Sequence, residues 1–176
     1  MGDQYEGDLS VVYDDQILST STGGPWQPGQ IVVHKSGTNR SQKALAKWVL
    51  LDNSGCSQGE ALVLNLASTV SSSVAKAATA DEGAPMVGVA AATIASNTYG
   101  FALISGYCEK ADLSHTAASG EYLCISGSTA GKLTPNKASC FNLGTLGNAS
   151  QVMVVAVSRN ATATGVGSVS ILGVWG

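Results

Sequence analysis

Charge is scarce in this chain. Asp, Glu, Lys and Arg make up 12% of its 176 residues, about half the ~25% usual for globular domains. The formal net charge is −3 and no cluster of Lys or Arg occurs, so the electrostatic footprint of nucleic-acid binding is missing. A surface this poor in charge is expected to face other protein, because solubility normally calls for more interspersed ions. Aromatic residues are 6% of the chain, which leaves the core to small aliphatic side chains. No apolar run approaches the ~18 residues that span a bilayer as a helix, so no membrane partner is expected. The opening Met1-Gly-Asp-Gln-Tyr-Glu-Gly-Asp8 is acidic, unlike a signal peptide or a presequence, and Glu6 stands where myristoylation wants Ser or Thr. Cys56, Cys108, Cys124 and Cys140 form no CxxC pair, which removes the usual zinc and redox spacings. They read as buried free thiols, with one disulfide left open.

What is abundant is Gly, 21 in all, together with Ala, Ser, Thr and Val. That composition suits short strands joined by tight turns. A chain of this length is expected to form one compact domain that buries roughly 70% of its unfolded surface. Its pattern repeats. Val87 to Gly106 reads VGVAAATIASNTYGFALISG and Val154 to Gly173 reads VVAVSRNATATGVGSVSILG. Without a gap, Gly100 falls on Gly167, Ala102 on Val169, Ile104 on Ile171 and Gly106 on Gly173. Upstream, Gly59-Glu-Ala-Leu-Val-Leu recurs as Gly120-Glu-Tyr-Leu-Cys-Ile, and Val74-Ala-Lys-Ala resembles Gly131-Lys-Leu-Thr-Pro. The two offsets differ by six residues, a gain assigned to the Lys137 to Gln151 loop. The reading is all-β: a compact β-sandwich or small barrel made of two related multi-strand units, about 56–109 and 118–174, within a domain of residues 30–176.

Residues 1–29 show no sustained periodicity. Leu9 to Tyr13 and Gln16 to Ser19 could each form a short strand, and Thr22-Gly-Gly-Pro-Trp-Gln-Pro-Gly29 is dense in chain breakers. The segment is read as an extended N-terminal arm, either a floppy tail or one that orders on a partner. Tyr5, Tyr13 and Trp26 favour the second. Gln30 to His34 follows as a strand. Lys43 to Leu51 fits a helix with Leu45, Trp48 and Val49 on one face, or a strand with Ala44, Ala46, Trp48 and Leu50 on one face, and its turn-rich context favours the strand. The first unit then supplies strands at Ala61 to Leu66, Ser73 to Ala77, Met86 to Ala91 and Gly100 to Ser105. A separate strand covers Tyr107 to Leu113. The second unit supplies Tyr122 to Ser126, Gly131 to Pro135, Val152 to Ser158 and Gly167 to Leu172.

Groups able to do chemistry are few. Asp112, Ser114 and His115 crowd one turn, whereas a triad is assembled from separate segments around an oriented base. No GxSxG elbow accompanies them. His34 reads as a strand-end residue. Glu60 and Glu121 occupy equivalent positions after Gly, which turn geometry explains without catalysis. Asp14-Asp15 lacks the alternating oxygen ligands of a calcium loop. Gly144-Thr-Leu-Gly147 precedes no helix that could cradle phosphate. Asn39, Asn148 and Asn160 begin glycosylation sequons that a Ser/Thr-rich chain produces by chance. No catalytic residue, metal site or cofactor is therefore assigned, and no enzyme activity is expected.

The stretch Ala118-Ser-Gly-Glu-Tyr-Leu-Cys-Ile-Ser-Gly-Ser-Thr-Ala-Gly-Lys-Leu-Thr-Pro135, followed by Val152-Met-Val-Val-Ala-Val157, resembles the head decoration, or capsid cement, proteins of tailed phages. Gln58-Gly-Glu-Ala-Leu, Val74-Ala-Lys-Ala and Pro85-Met-Val-Gly-Val-Ala90 carry the same pattern in the first unit. The resemblance covers about residues 56 to 174, and the second copy departs with Val-Val-Ala-Val-Ser where the family has Gly-Val-Ala. It implies a virion structural protein made in the host cytoplasm, which binds the major capsid protein on the capsid exterior as a trimer or dimer. Tyr5, Tyr13 and Trp26 of the arm become the capsid-contact candidates. The alternative is a tail or fibre head module that binds a host-surface receptor or glycan, with Trp26, Trp48, Tyr99 and Tyr107 as its contacts.

Overall fold

The computed structural model describes residues 5–6, 9–22, 25–36, 41–52, 54–65, 68, 73–76, 86–135, 145–146, 149–150, 154–161 and 165–173. It is nearly all β. The elements are β1 (Tyr5–Glu6), β2 (Leu9–Val12), α1 (Asp14–Ile17), β3 (Ile31–Ser36), β4 (Gln42–Leu51), β5 (Ala61–Leu64), β6 (Ser73–Lys76) and β7 (Met86–Ala90). They continue with β8 (Tyr99–Leu113), β9 (Tyr122–Ile125), β10 (Leu133–Thr134), β11 (Thr145–Leu146), β12 (Ala149–Ser150), β13 (Ala156–Ser158) and β14 (Gly165–Ile171).

The strand pairings close two circuits. One runs β4–β6–β5–β7–β8 and back to β4; the other runs β8–β10–β9–β13–β14 and back to β8. Each is a closed five-stranded barrel, an arrangement that leaves no open sheet edge within the circuit. The barrels share β8, whose 15 residues merge the two strands expected at Gly100 to Ser105 and Tyr107 to Leu113. The strand changes barrels at Gly106, which pairs with Ala44 of β4 on one side and Ile171 of β14 on the other. Gly106 has φ +90°, and a Cβ there would stand 2.5 Å from the Lys43 carbonyl oxygen. Only glycine meets both demands.

The barrels correspond strand for strand. β5, β6, β7 and the first half of β8 match β9, β10, β13 and β14, and β4 matches the second half of β8. The pairings agree in direction throughout, including the parallel contacts β4–β6 and β8–β10. The inward face repeats with them: Val49, Leu51, Leu62, Ala102 and Ile104 in the first barrel, Ala111, Leu113, Leu123, Val169 and Ile171 in the second, all buried. The register corrects the gapless overlay by one residue at β7. Val89 pairs with Leu103 as Val157 pairs with Ser170, so Val87 corresponds to Val155 rather than Val154. Burial agrees, at 2% and 1% exposed against 43% for Val154. A shift of one along a strand exchanges its two faces. The β11–β12 ladder lies in the loop assigned the extra residues; most of that loop falls outside the described residues.

The segment read as an extended arm is, from Leu9 onward, part of the first barrel's wall. β2 lies parallel to β3, and β3 lies antiparallel along β4. Val12 and Ile17 join the core, and Ser21 bridges to Tyr99. The apolar residues of this stretch find their partner on the same chain. Gln16 to Ser19 is likewise not a strand: α1 turns there, its Gln16 and Ile17 amides donating to the Tyr13 carbonyl at 2.9 Å. That turn points Ile17 inward. Lys43 to Leu51 is the strand that alternation favours, with Ala44, Ala46 and Trp48 buried.

The outer walls differ where the interiors agree. On the first barrel, Phe101 packs edge-on against Trp48 at 4.7 Å and Trp26 at 5.6 Å, and Tyr99 stacks on Trp48 at 6.1 Å. The N-terminal segment covers this aromatic wall. On the second barrel Val166, Ser168 and Ser170 take the places of Tyr99, Phe101 and Leu103. The exposed Glu109 and Lys110 stand opposite the bulge where Trp48 would be.

Candidate functional site

Two matching turns carry the most informative contrast. In the first, the Glu60 carboxylate accepts the Ser57 amide at 2.7 Å; in the second, Glu121 accepts the Ala118 amide at 2.8 Å. The Gly59 amide donates to the Ala90 carbonyl at 2.9 Å, and that of Gly120 to the Ser158 carbonyl at 2.8 Å. Both glutamates hold their own turn, as their position after Gly leads one to expect.

The first turn is docked. The Asp112 amide donates to the Gly59 carbonyl at 2.9 Å, and the Ala61 amide donates to the Gly131 carbonyl at 2.7 Å. Lys76 Nζ lies 3.6 Å from Glu60 Oε1. The two backbone bonds tie the first barrel's turn to the shared strand and to the second barrel, while the Lys76 pair braces the turn from β6 within the first barrel. The second turn, Ala118 to Tyr122, is exposed throughout. Tyr122, at the place of the buried Ala61, is 66% exposed, and a Cβ on Gly120 would meet nothing within 4 Å. Four of the large exposed apolar residues, Tyr122, Val154, Val166 and Leu172, belong to the second barrel; Leu18 belongs to the N-terminal segment.

The titratable groups lie elsewhere. Asp112 sits at the barrel junction, where burial raises its pKa above the ordinary value, Lys132 opposes the rise and Glu60 adds to it. His115 Nδ1 lies 2.9 Å from Ser114 Oγ and 3.1 Å from Thr134 Oγ1. The structure thus brings Ser114 and His115 together, while the Asp112 charge interacts with Lys132 and Glu60 across the junction. His34 is within β3, not at its end. Its Nε2 lies 3.0 Å from Asp14 Oδ1, which fastens α1 to β3, and Asp14 is thereby paired. Burial pushes the Cys108 thiol up to about 12 and the Cys56 thiol to about 11. Cys124 is disulfide-bonded, so of the two readings left open it takes the disulfide and not the buried free thiol.

The aromatic residues proposed as contacts are placed as follows. Trp26 is half-buried against Phe101, and Tyr13 is half-buried beside α1. The side chain of Tyr5 falls outside the described residues. Trp48 is 1% exposed, so it cannot touch a glycan, and Tyr99 is stacked on it. Arg159 lies over the Tyr107 ring at 5.0 Å. The two Gly-Glu turns read alike in sequence; Ala61 against Tyr122 was the one signal that the first is covered. Comparison with protein-family profiles gave no match, and comparison with curated proteins gave no significant one.

Proposed function

We propose that this chain is a structural protein of a phage virion, a capsid decoration or cement protein that binds the outer surface of the head. The observation that carries the reading is the unequal covering of two equivalent barrels. The first is roofed by the chain's own N-terminal segment, while the second leaves Tyr122, Val154, Val166 and Leu172 exposed in a chain of 12% charged residues. Apolar groups left exposed on the second barrel of a charge-poor domain favour a surface meant for another protein. The partner is the major capsid protein, the chain acts as a homo-oligomer, and it catalyses no reaction. Its effect is linkage: a protein that binds the expanded shell and not its dissociated subunits stabilises the shell, and many copies docked at once multiply weak contacts.

The glycan-binding alternative loses support from the burial of Trp48 and the engagement of Trp26 and Tyr99. The test mixes purified protein with expanded, undecorated capsids of the phage that carries it. Co-sedimentation in a fixed ratio of many copies per shell, with a higher temperature of disruption, is the expected result. Failure to bind any form of the shell overturns the reading.

A further inference from the structure

The docked turn shows what its exposed twin can do. We infer that Ala118 to Tyr122 is a backbone docking element that seats on an exposed strand edge of the capsid protein, as Ser57 to Ala61 seats on β8. The inference rests on the capsid reading and adds the surface, the bonds and the kind of partner. In the first turn the two outward backbone groups are the Gly59 carbonyl, which accepts from the strand residue Asp112, and the Ala61 amide, which donates to the Gly131 carbonyl. Gly120 and Tyr122 hold the corresponding carbonyl and amide. The frames agree closely: φ is +91° at Gly59 and +81° at Gly120, and the glutamate and glycine bonds match within 0.1 Å.

The occupant must offer one strand amide and, from a segment beside that strand, one carbonyl, as β8 offers Asp112 and the turn before β10 offers Gly131; a strand end at a sheet edge can present both. It must also tolerate a tyrosine where β8 and its neighbours cover an alanine, so its flank is apolar and open. A second copy of this chain is the weaker occupant. The strand face that receives such a turn, around Asp112 and Gly131, is already filled in every copy by that copy's own first turn.

The test compares Tyr122→Asp and Leu18→Asp. Both side chains are exposed, one at the turn and one on the N-terminal segment, and thermal unfolding checks that both variants fold. Co-sedimentation with expanded, undecorated capsids is expected to weaken at least tenfold for Tyr122→Asp and to stay within twofold for Leu18→Asp. In the wild-type complex the Tyr122 amide is expected to exchange at least tenfold more slowly than in the free chain. Binding by Tyr122→Asp at the wild-type level, or an unslowed Tyr122 amide, overturns the inference and leaves the capsid reading intact. Loss of Tyr122 amide exchange with protein concentration alone, without shells, assigns the turn to a second copy and overturns the capsid edge as its occupant. Wild-type protein that binds no shell overturns both.

Discussion

The first barrel and the second are built on one plan and finished differently. Their inward faces agree position by position, from Val49 and Ala111 to Ile104 and Ile171. Their outward faces do not: Trp48, Phe101 and Tyr99 in one stand where the other has Glu109, Lys110, Ser168 and Val166. The reason is neighbours. β3 runs along β4 as β4 runs along β8 and β8 along β14, so the N-terminal segment serves the first barrel as the first barrel serves the second. Repeat arrays need terminal caps because each unit hides its flank on the next. Here the leading end has such a cap, and the second barrel carries four of the five large exposed apolar residues among the described ones.

The comparison can be broken most severely at Trp48. Trp48→Ala is expected to cost about 3–5 kcal/mol, the range for emptying a buried aromatic site. Lys110→Ala, at the matching position on the second wall, should stay within about 0.5 kcal/mol. Urea unfolding of the two variants checks both, and equal losses would mean that the walls are not different in kind.

A matched glycine pair sharpens the contrast at the turns. Gly59→Ala and Gly120→Ala both put a side chain at positive φ, at about 1–2 kcal/mol. Only at Gly59 does the new methyl also press the Lys110 carbonyl, at 3.0 Å. The first variant should therefore lose more stability than the second, by about 1 kcal/mol or more. Equal losses would show that the first turn is not held against β8.

A smaller effect concerns pH. The raised pKa of Asp112 means that its proton is held more tightly in the folded chain than in the unfolded one, whose carboxyl titrates near 3.8. By linkage the group weakens the fold above its folded pKa, and the penalty disappears as pH falls below the unfolded value. Asp112→Asn should accordingly raise the melting temperature at pH 7 and leave it unchanged near pH 3. A variant less stable at pH 7 would contradict this. The mildest expectation is kinetic: Cys56 and Cys108, with thiols pushed up to about 11 and 12, should resist thiol reagents at pH 8 until the chain unfolds.

How much of this was legible beforehand follows from the same contrast. The repeat Gly-x-small-x-Ile-x-Gly showed itself because it writes the inward face, where both barrels obey one packing constraint. The strand alternation of Ala44, Ala46 and Trp48 was readable because that outer face of β4 is buried as well, under the N-terminal segment. Gly106 misled: a glycine between two apolar runs reads as a break, and only the pairing with both Ala44 and Ile171 shows one strand passing between barrels. The N-terminal stretch misled too, because Val11, Val12, Ile17 and Trp26 are too scattered to set a period, yet they converge once β3 lies along β4. The docked turn could not be told from its twin, since the difference lies in what faces it.

The central claim is that the N-terminal segment, in its described residues from Leu9 to Gly29, is a fixed cap on the first barrel. Amide hydrogen exchange on a chain lacking those residues tests it most directly. The account predicts that β4 and the first half of β8 lose protection while β9, β13 and β14 change little. Unchanged protection in β4 and in Tyr99 to Leu103 would contradict it and return the segment to the standing of a free arm.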